Sequence, residues 1–166
     1  MTLLDAPTFD AARDRRNTIL LIASAGLLVV LFVGGWLVSG RPIDWPWHWW
    51  MHFRARATAN RFLDDVEDNK LQSAYAIWFH DPDWQRHPNN YSAYSFEKFT
   101  QDWSPTSFSN EYGAIKTHQI VASRISGNVL LMGIAINGLK SKALFIDYDP
   151  RLHTLGFSPV ELYLGP

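Results

Sequence analysis

Residues 17–40 contain no charged side chain, and the apolar run over 19–33 continues through Gly34, Gly35, Trp36, Leu37 and Val38. About 20 such residues, each rising ~1.5 Å, cross a hydrocarbon core of about 30 Å. A core helix of this length would carry polar positions at a 3.6-residue period, whereas this segment is apolar all round. A signal-peptide core is usually about 7 to 15 residues and ends in a small-x-small cleavage site. Val38-Ser39-Gly40 imitates such a site poorly, and the run is too long. The segment therefore reads as a retained transmembrane helix over residues 18–40, preceded by a short tail at 1–17.

The flanking charges orient it. Arg13, Arg15 and Arg16 abut the span, while Arg41, Arg54 and Arg56 are spread over sixteen residues after it. A compact basic cluster on a short tail is normally retained in the cytoplasm. The expected topology is a cytoplasmic N-terminus and an extracytoplasmic or periplasmic C-terminal part, on a bacterial-type inner membrane.

Eight tryptophans is high for 166 residues, and Trp45, Trp47, Trp49 and Trp50 fall directly after the span, with Trp36 near its end. Indole rings suit the headgroup level, where the flat apolar body and the single N–H are both satisfied. Pro42 and Pro46 end the membrane helix, so residues 41–54 read as a Trp-rich juxtamembrane linker. The rings are equally suited to another membrane protein as to lipid. Asp44, His48 and His52 recur at a spacing of four, the pattern of a metal site on one helical face. Pro46 breaks such a helix between the first two, so no metal is expected there.

Residues 55–166 suffice for one small domain. Ala59, Phe62, Leu63 and Val66 form the apolar stripe of a helix over 55–68, which Asn69 and Lys70 interrupt. A second helix follows over 71–79. Phe96, Phe99 and Trp103 keep helical spacing behind Ser95, an N-cap residue. From Ala114 the period changes, with strands expected over 114–125, 129–136, 139–148 and 153–164. Asn137-Gly138 favours a two-residue hairpin. The expected fold class is α+β: three helices packed on a curled four-stranded antiparallel sheet.

The balance of 15 Lys plus Arg against 16 Asp plus Glu gives no driving force for phosphate backbones, so no nucleic-acid partner is expected. The lack of cysteine excludes disulfides, thiolate metal sites and a cysteine nucleophile. Neither a phosphate loop, a nucleophile elbow, a zinc-protease motif nor a dinucleotide fingerprint occurs, and no cofactor is expected.

The stretch over residues 59–75, an apolar-faced helix, an acidic break and a helix opening around Ala74-Tyr75, resembles the start of the nuclear-transport-factor-2-like superfamily. The resemblance extends in element order over about residues 55–164. It implies a cone enclosed by helices and a curled sheet, in which catalytic members place an Asp, His or Tyr on the inner wall. Isomerases, dehydratases, cyclases and non-enzymatic assembly domains share that fold, so it does not choose an activity. The layout of tail, span and domain is also similar to that of single-span assembly factors of type IV secretion.

Along the third strand Ala143, Phe145 and Asp147 share one face and Leu144, Ile146 and Tyr148 the other. Asp147 on an inner wall would have the raised pKa of a general base, with His118 and Tyr112 as companions. As a strand-end residue before Asp149-Pro150 it caps a turn instead, which turn chemistry favours. Lys116, His118 and Arg124 share parity and read as a partly solvated face. His80, Asp81, Asp83 and His87 make a denser polar cluster whose spacing matches no regular ligand pattern. Two functions remain: a membrane-anchored binding or assembly module docking on another membrane subunit or on itself, or a tethered small-molecule enzyme or binding protein using the cone. The first is favoured, because the sequence permits a perturbed acid in a pocket without requiring one.

Overall fold

The computed structural model describes residues 11–162; the first ten residues of the tail and the end of the segment expected as the last strand, 163–166, lie outside them. The chain divides into two compact units between Arg41 and Pro42.

The first unit is helix α1, Ala11–Val38, of 28 residues, with none buried. It is long and apolar enough to cross a membrane. Its helical start includes Arg13, Arg15 and Arg16. Hydroxyls within the apolar run bond inside the helix: Ser24 Oγ donates to the Leu21 carbonyl at 2.9 Å and Ser39 Oγ to the Gly35 carbonyl at 2.7 Å. Such bonds satisfy polar groups without water. Gly40, at φ 85°, ends the helix. The Arg41 N–H then donates to the Trp36 carbonyl and the Gly40 N–H to the Leu37 carbonyl, a Schellman cap.

The second unit is α+β. A 3₁₀ turn at Pro46–His48 leads into α2, Trp49–Glu67, so the helix begins inside the stretch read as linker. Pro46 starts the turn, where its missing N–H costs nothing. The buried stripe of α2 is His52, Ala55, Ala59, Phe62, Leu63 and Val66, the expected periodicity carried about two turns further back. Asn69, at φ 56°, ends it, with the Lys70 N–H donating to the Asp65 carbonyl at 2.7 Å. Then come α3, Leu71–Trp78, two 3₁₀ turns at Trp84–Arg86 and Pro88–Tyr94, and α4, Phe96–Trp103. Ser95 caps α4, its Oγ accepting from the Lys98 N–H at 3.3 Å.

Four strands follow: β1 His118–Ser126, β2 Val129–Ile136, β3 Leu139–Tyr148 and β4 Leu155–Phe157, in antiparallel order β1-β2-β3-β4. Asn137 and Gly138 both have positive φ, as a type I′ hairpin turn requires. The first strand begins four residues later than expected. The Asn137 side chain explains this, accepting from the N–H groups of Lys116 and Thr117 and donating to the Ala114 carbonyl in place of a strand partner. The last strand has three residues: Leu152 and His153 belong to a turn held by Asp149 Oδ1, and Pro159 brings no N–H to extend the ladder. A register shift between Ile120 and Ala122 inserts one residue into β1. The bulge reverses parity, so His118 pairs with Ile136 and Arg124 with Leu131, on opposite faces. The shared parity expected for Lys116, His118 and Arg124 is thereby broken.

α2 packs on β1 and β2, and α3 on β4 and α4. The core face of the sheet carries Ile120, Leu130, Met132, Ile134, Ile136, Leu144, Ile146 and Tyr148. Between helices and sheet the space is filled by rings. Phe62, fully buried, lies 5.0 Å from Trp78, 4.9 Å from Trp103 and 6.2 Å from Phe99, centre to centre. Tyr75 lies 5.1 Å from Phe99, and Phe157 closes the cluster by stacking on Trp103 at 5.9 Å. Edge-to-face pairs of this kind add about 0.5–1.5 kcal/mol each beyond burial. Every buried side-chain nitrogen and oxygen among the described residues has a partner.

Phe62→Ala should therefore lower unfolding stability by about 3–5 kcal/mol, read by denaturant titration of the detergent-solubilised chain with near-UV circular dichroism. A loss below about 1 kcal/mol would contradict the central place of this ring.

Candidate functional site

The most organised polar constellation in the second unit joins residues far apart in sequence. His52 is fully buried on α2. Its Nε2 lies 2.7 Å from Asp44 Oδ2 and its Nδ1 2.9 Å from Ser123 Oγ on β1. Burial, opposed by the Asp44 carboxylate, lowers the His52 pKa below its ordinary value. The neutral ring then donates from Nε2 to Asp44 and accepts the Ser123 hydroxyl proton at Nδ1. The order Asp-His-Ser is that of a hydrolytic triad, in which the imidazole must reach both nucleophile and leaving group. Here the ring is wholly enclosed, with no edge exposed to a substrate. Its effect is mechanical: it ties the segment before α2 to the edge strand of the sheet. His48 takes no part in this bonding and meets Trp47 edge-on at 6.0 Å. Of the three residues spaced by four, only Asp44 and His52 come together, because the 3₁₀ turn brings Asp44 back over the start of α2.

A second cluster lies at the rim where α2 meets β1. His118 Nδ1 is 2.6 Å from Glu67 Oε1, and its Nε2 is 3.3 Å from Asn60 Oδ1. Asp64 joins them, and ligand atoms of Asp64, Glu67 and His118 lie within 4.8 Å of one another. Two carboxylates and an imidazole are a donor set for a divalent cation such as zinc. In the present geometry the imidazole is engaged by Glu67 and Asn60, which accounts for the cluster as a helix-to-strand link. The denser run near Asp81 is likewise a loop fastening. Asp81 accepts from the Tyr91 hydroxyl at 2.5 Å and the Asp83 N–H at 2.8 Å, and lies 3.3 Å from His87. These bonds, the Tyr91 hydroxyl first, lower the Asp81 pKa, while the same bond pushes Tyr91 up to about 12.

The three residues considered for a catalytic pocket are held by different partners in different places. On β3 it is Leu144, Ile146 and Tyr148 that face the core, so Asp147 lies on the opposite side of the sheet, half-buried. Burial raises its pKa, with Asp149 adding to the effect. It pairs with Leu131 and Gly156, and a Cβ on Gly156 would stand 2.6 Å from Asp147 Oδ1. Glycine there makes room for the carboxylate against the backbone. Tyr112 donates from its hydroxyl to the Ala143 carbonyl at 3.4 Å beneath the Lys142 ammonium, 5.4 Å from its ring centre. His118 stands at the rim with Glu67. Inner-wall chemistry built on these three has no common cavity here.

Among the aromatic residues that follow α1, Trp45, Trp47 and Trp50 are about two-thirds exposed, and the neighbouring Ile43 is fully exposed. Trp45 stacks on Trp47 at 5.1 Å, and Trp50 on Phe53 at 5.5 Å. Trp49 is half-buried and donates from Nε1 to the Asp44 carbonyl at 3.0 Å, so it serves the fold. Sequence spacing pointed to Asp44 and His52. Ser123, Glu67 and Asp64 had no local signal, since their partners are supplied by another element.

A depressed His52 pKa means that the unfolded chain binds a proton that the folded chain refuses. The His52 contribution is therefore present above the unfolded value of about 6.5 and is lost as pH falls below it. His52→Ala should cost about 2–4 kcal/mol at pH 8 by leaving Asp44 and Ser123 without their partner, and the deficit relative to wild type should shrink at pH 5. Chemical denaturation at the two pH values measures this; a deficit that grows with acid would mean a charged His52.

Compared with known proteins, the chain matches no family model, no curated protein and no solved structure.

Proposed function

We propose that the protein is a single-pass membrane-anchored binding or assembly module, an accessory subunit whose nuclear-transport-factor-2-like domain docks on another membrane protein or on a second copy of itself. The observation that carries this reading is the packing of Phe62, Trp78, Phe99 and Trp103 into the space where a catalytic member of that fold would keep its pocket. An enzyme needs a titratable group in a roomy cavity. Asp147, His118 and Tyr112 are instead dispersed over the opposite sheet face, the rim and a loop.

The unburied apolar length of α1 supports retention in the bilayer, and Arg13, Arg15 and Arg16 favour a cytoplasmic N-terminus with the domain outside. The exposed Ile43, Trp45, Trp47 and Trp50 offer lipid-interface or protein-interface contacts close in sequence to the anchor. Nothing in the charge balance supports a nucleic-acid partner.

Fusing alkaline phosphatase and a cytoplasmic fluorescent reporter to the C-terminus tests anchor and topology together. Expected are active phosphatase, a dark fluorescent fusion and full-length protein that resists carbonate extraction. A processed, soluble product would make α1 a signal sequence. A photo-crosslinking residue at Trp47 should give one discrete protein adduct in intact membranes; adducts with lipid alone, together with a monomer in mild detergent, would overturn the assembly role.

A further inference from the structure

A cleft of about 920 Å³ in the second unit lies between α2, the end of α3 and the turn that joins β3 to β4. Its wall on α2 is one helical face, with Trp50, Phe53, Arg54, Ala57 and Arg61 recurring at three- and four-residue steps. Across from them stand His80 and His153, 5.3 Å apart and edge-on. The lining thus holds two guanidiniums and two imidazoles and no carboxylate.

The surrounding acids are committed elsewhere. Asp65 accepts from Ser73 Oγ at the rim, and Asp149 holds the Arg151 and Leu152 N–H groups. Asp81 is bonded by Tyr91, and Asp83 pairs with Arg86 at 3.7 Å. Neither Arg54 nor Arg61 forms an ion pair among the described residues; Arg54 lies 6.0 Å from the centre of the Trp50 ring. His153 Nδ1 is 2.7 Å from the Tyr148 hydroxyl, which fixes the ring and leaves Nε2 as its other polar atom. Ala57, midway between the arginines, fills little of the space they flank. Two guanidiniums on one helical face, with a small residue between them, offer forked donors of the kind that bind the oxygens of a phosphate bidentately.

We propose that this cleft binds a phosphoryl anion, with Arg54 and Arg61 as its principal ligands and His80 and His153 on the opposite wall. The exposed Trp50 and Phe53 form an apolar shelf at the same site, suited to the acyl or glycerol portion of a phospholipid. A free phosphate ester supplies the same anion without using the shelf. The inference rests on the cleft and not on the assembly role, and its test contains no protein partner.

The test uses the full chain in a neutral, phosphate-free detergent, with bound ligand quantified by native mass spectrometry. The probes are phosphatidylglycerol, diacylglycerol and soluble glycerol 3-phosphate. Phosphatidylglycerol should be retained about tenfold better than diacylglycerol, the scale of one charge-assisted contact. R54Q/R61Q should abolish that preference. Both side chains are exposed, and near-UV circular dichroism checks that the variant folds. R124Q, an exposed arginine on the other sheet face, should leave retention unchanged. Glycerol 3-phosphate binding as well as the lipid supports a free phosphate ester as the source; lipid binding alone supports a headgroup. Retention of phosphatidylglycerol no better than diacylglycerol without glycerol 3-phosphate binding, or equal binding by wild type and R54Q/R61Q, would overturn the site.

Discussion

Phe62 touches nearly everything that makes the second unit a single body. It projects from the middle of α2 against Trp78 of α3 and Phe99 and Trp103 of α4, while Phe157 of β4 stacks on Trp103 from the sheet side. A sheet and helices with one apolar face each must bury those faces against one another, and large rings fill the volume with few side chains. The same rings occupy the space between helices and sheet. The exposed indoles and the clefts along the edges of α2 lie at the exterior of the unit.

Helix α2 serves two directions at once. Its buried stripe is continuous from His52 to Val66, yet its first turn holds a polar residue where a leucine would be expected. His52 is tolerated because Asp44 and Ser123 satisfy both ring nitrogens, and a buried polar group so paired specifies geometry more sharply than an apolar one. The consequence is that the segment just after α1 is fastened to β1 within the folded unit. Its outward face is left to Trp50, Phe53, Arg54 and Arg61, two aromatic residues followed by two cationic ones along one helix.

Much of the architecture is written locally. Helical periodicity in α2, α3 and α4 depends on residues three and four apart, and the Asn137-Gly138 turn on two adjacent residues that tolerate positive φ, so each is visible without knowing the fold. The apolar length of α1 is of the same kind. Strand ends were less legible. The start of β1 is displaced by the side chain of Asn137, twenty residues away, and the end of β4 by a loss of ladder partners that only the sheet defines.

The candidate site divides along the same line. That Asp44 and His52 belong together was suggested by their spacing, whereas the third member, Ser123, lies 71 residues from His52 and carries no mark of its own. Parity placed Asp147 opposite Tyr148 correctly but did not say which face the helices would cover; the helices chose Tyr148. A single inserted residue near Val121 moved Arg124 to the other face from His118. The helices, the turns and the apolar stretch of α1 follow from neighbours along the chain and are legible in the residues alone. Which side groups share a space depends instead on which surfaces meet in the fold, and those contacts join residues that no local pattern relates.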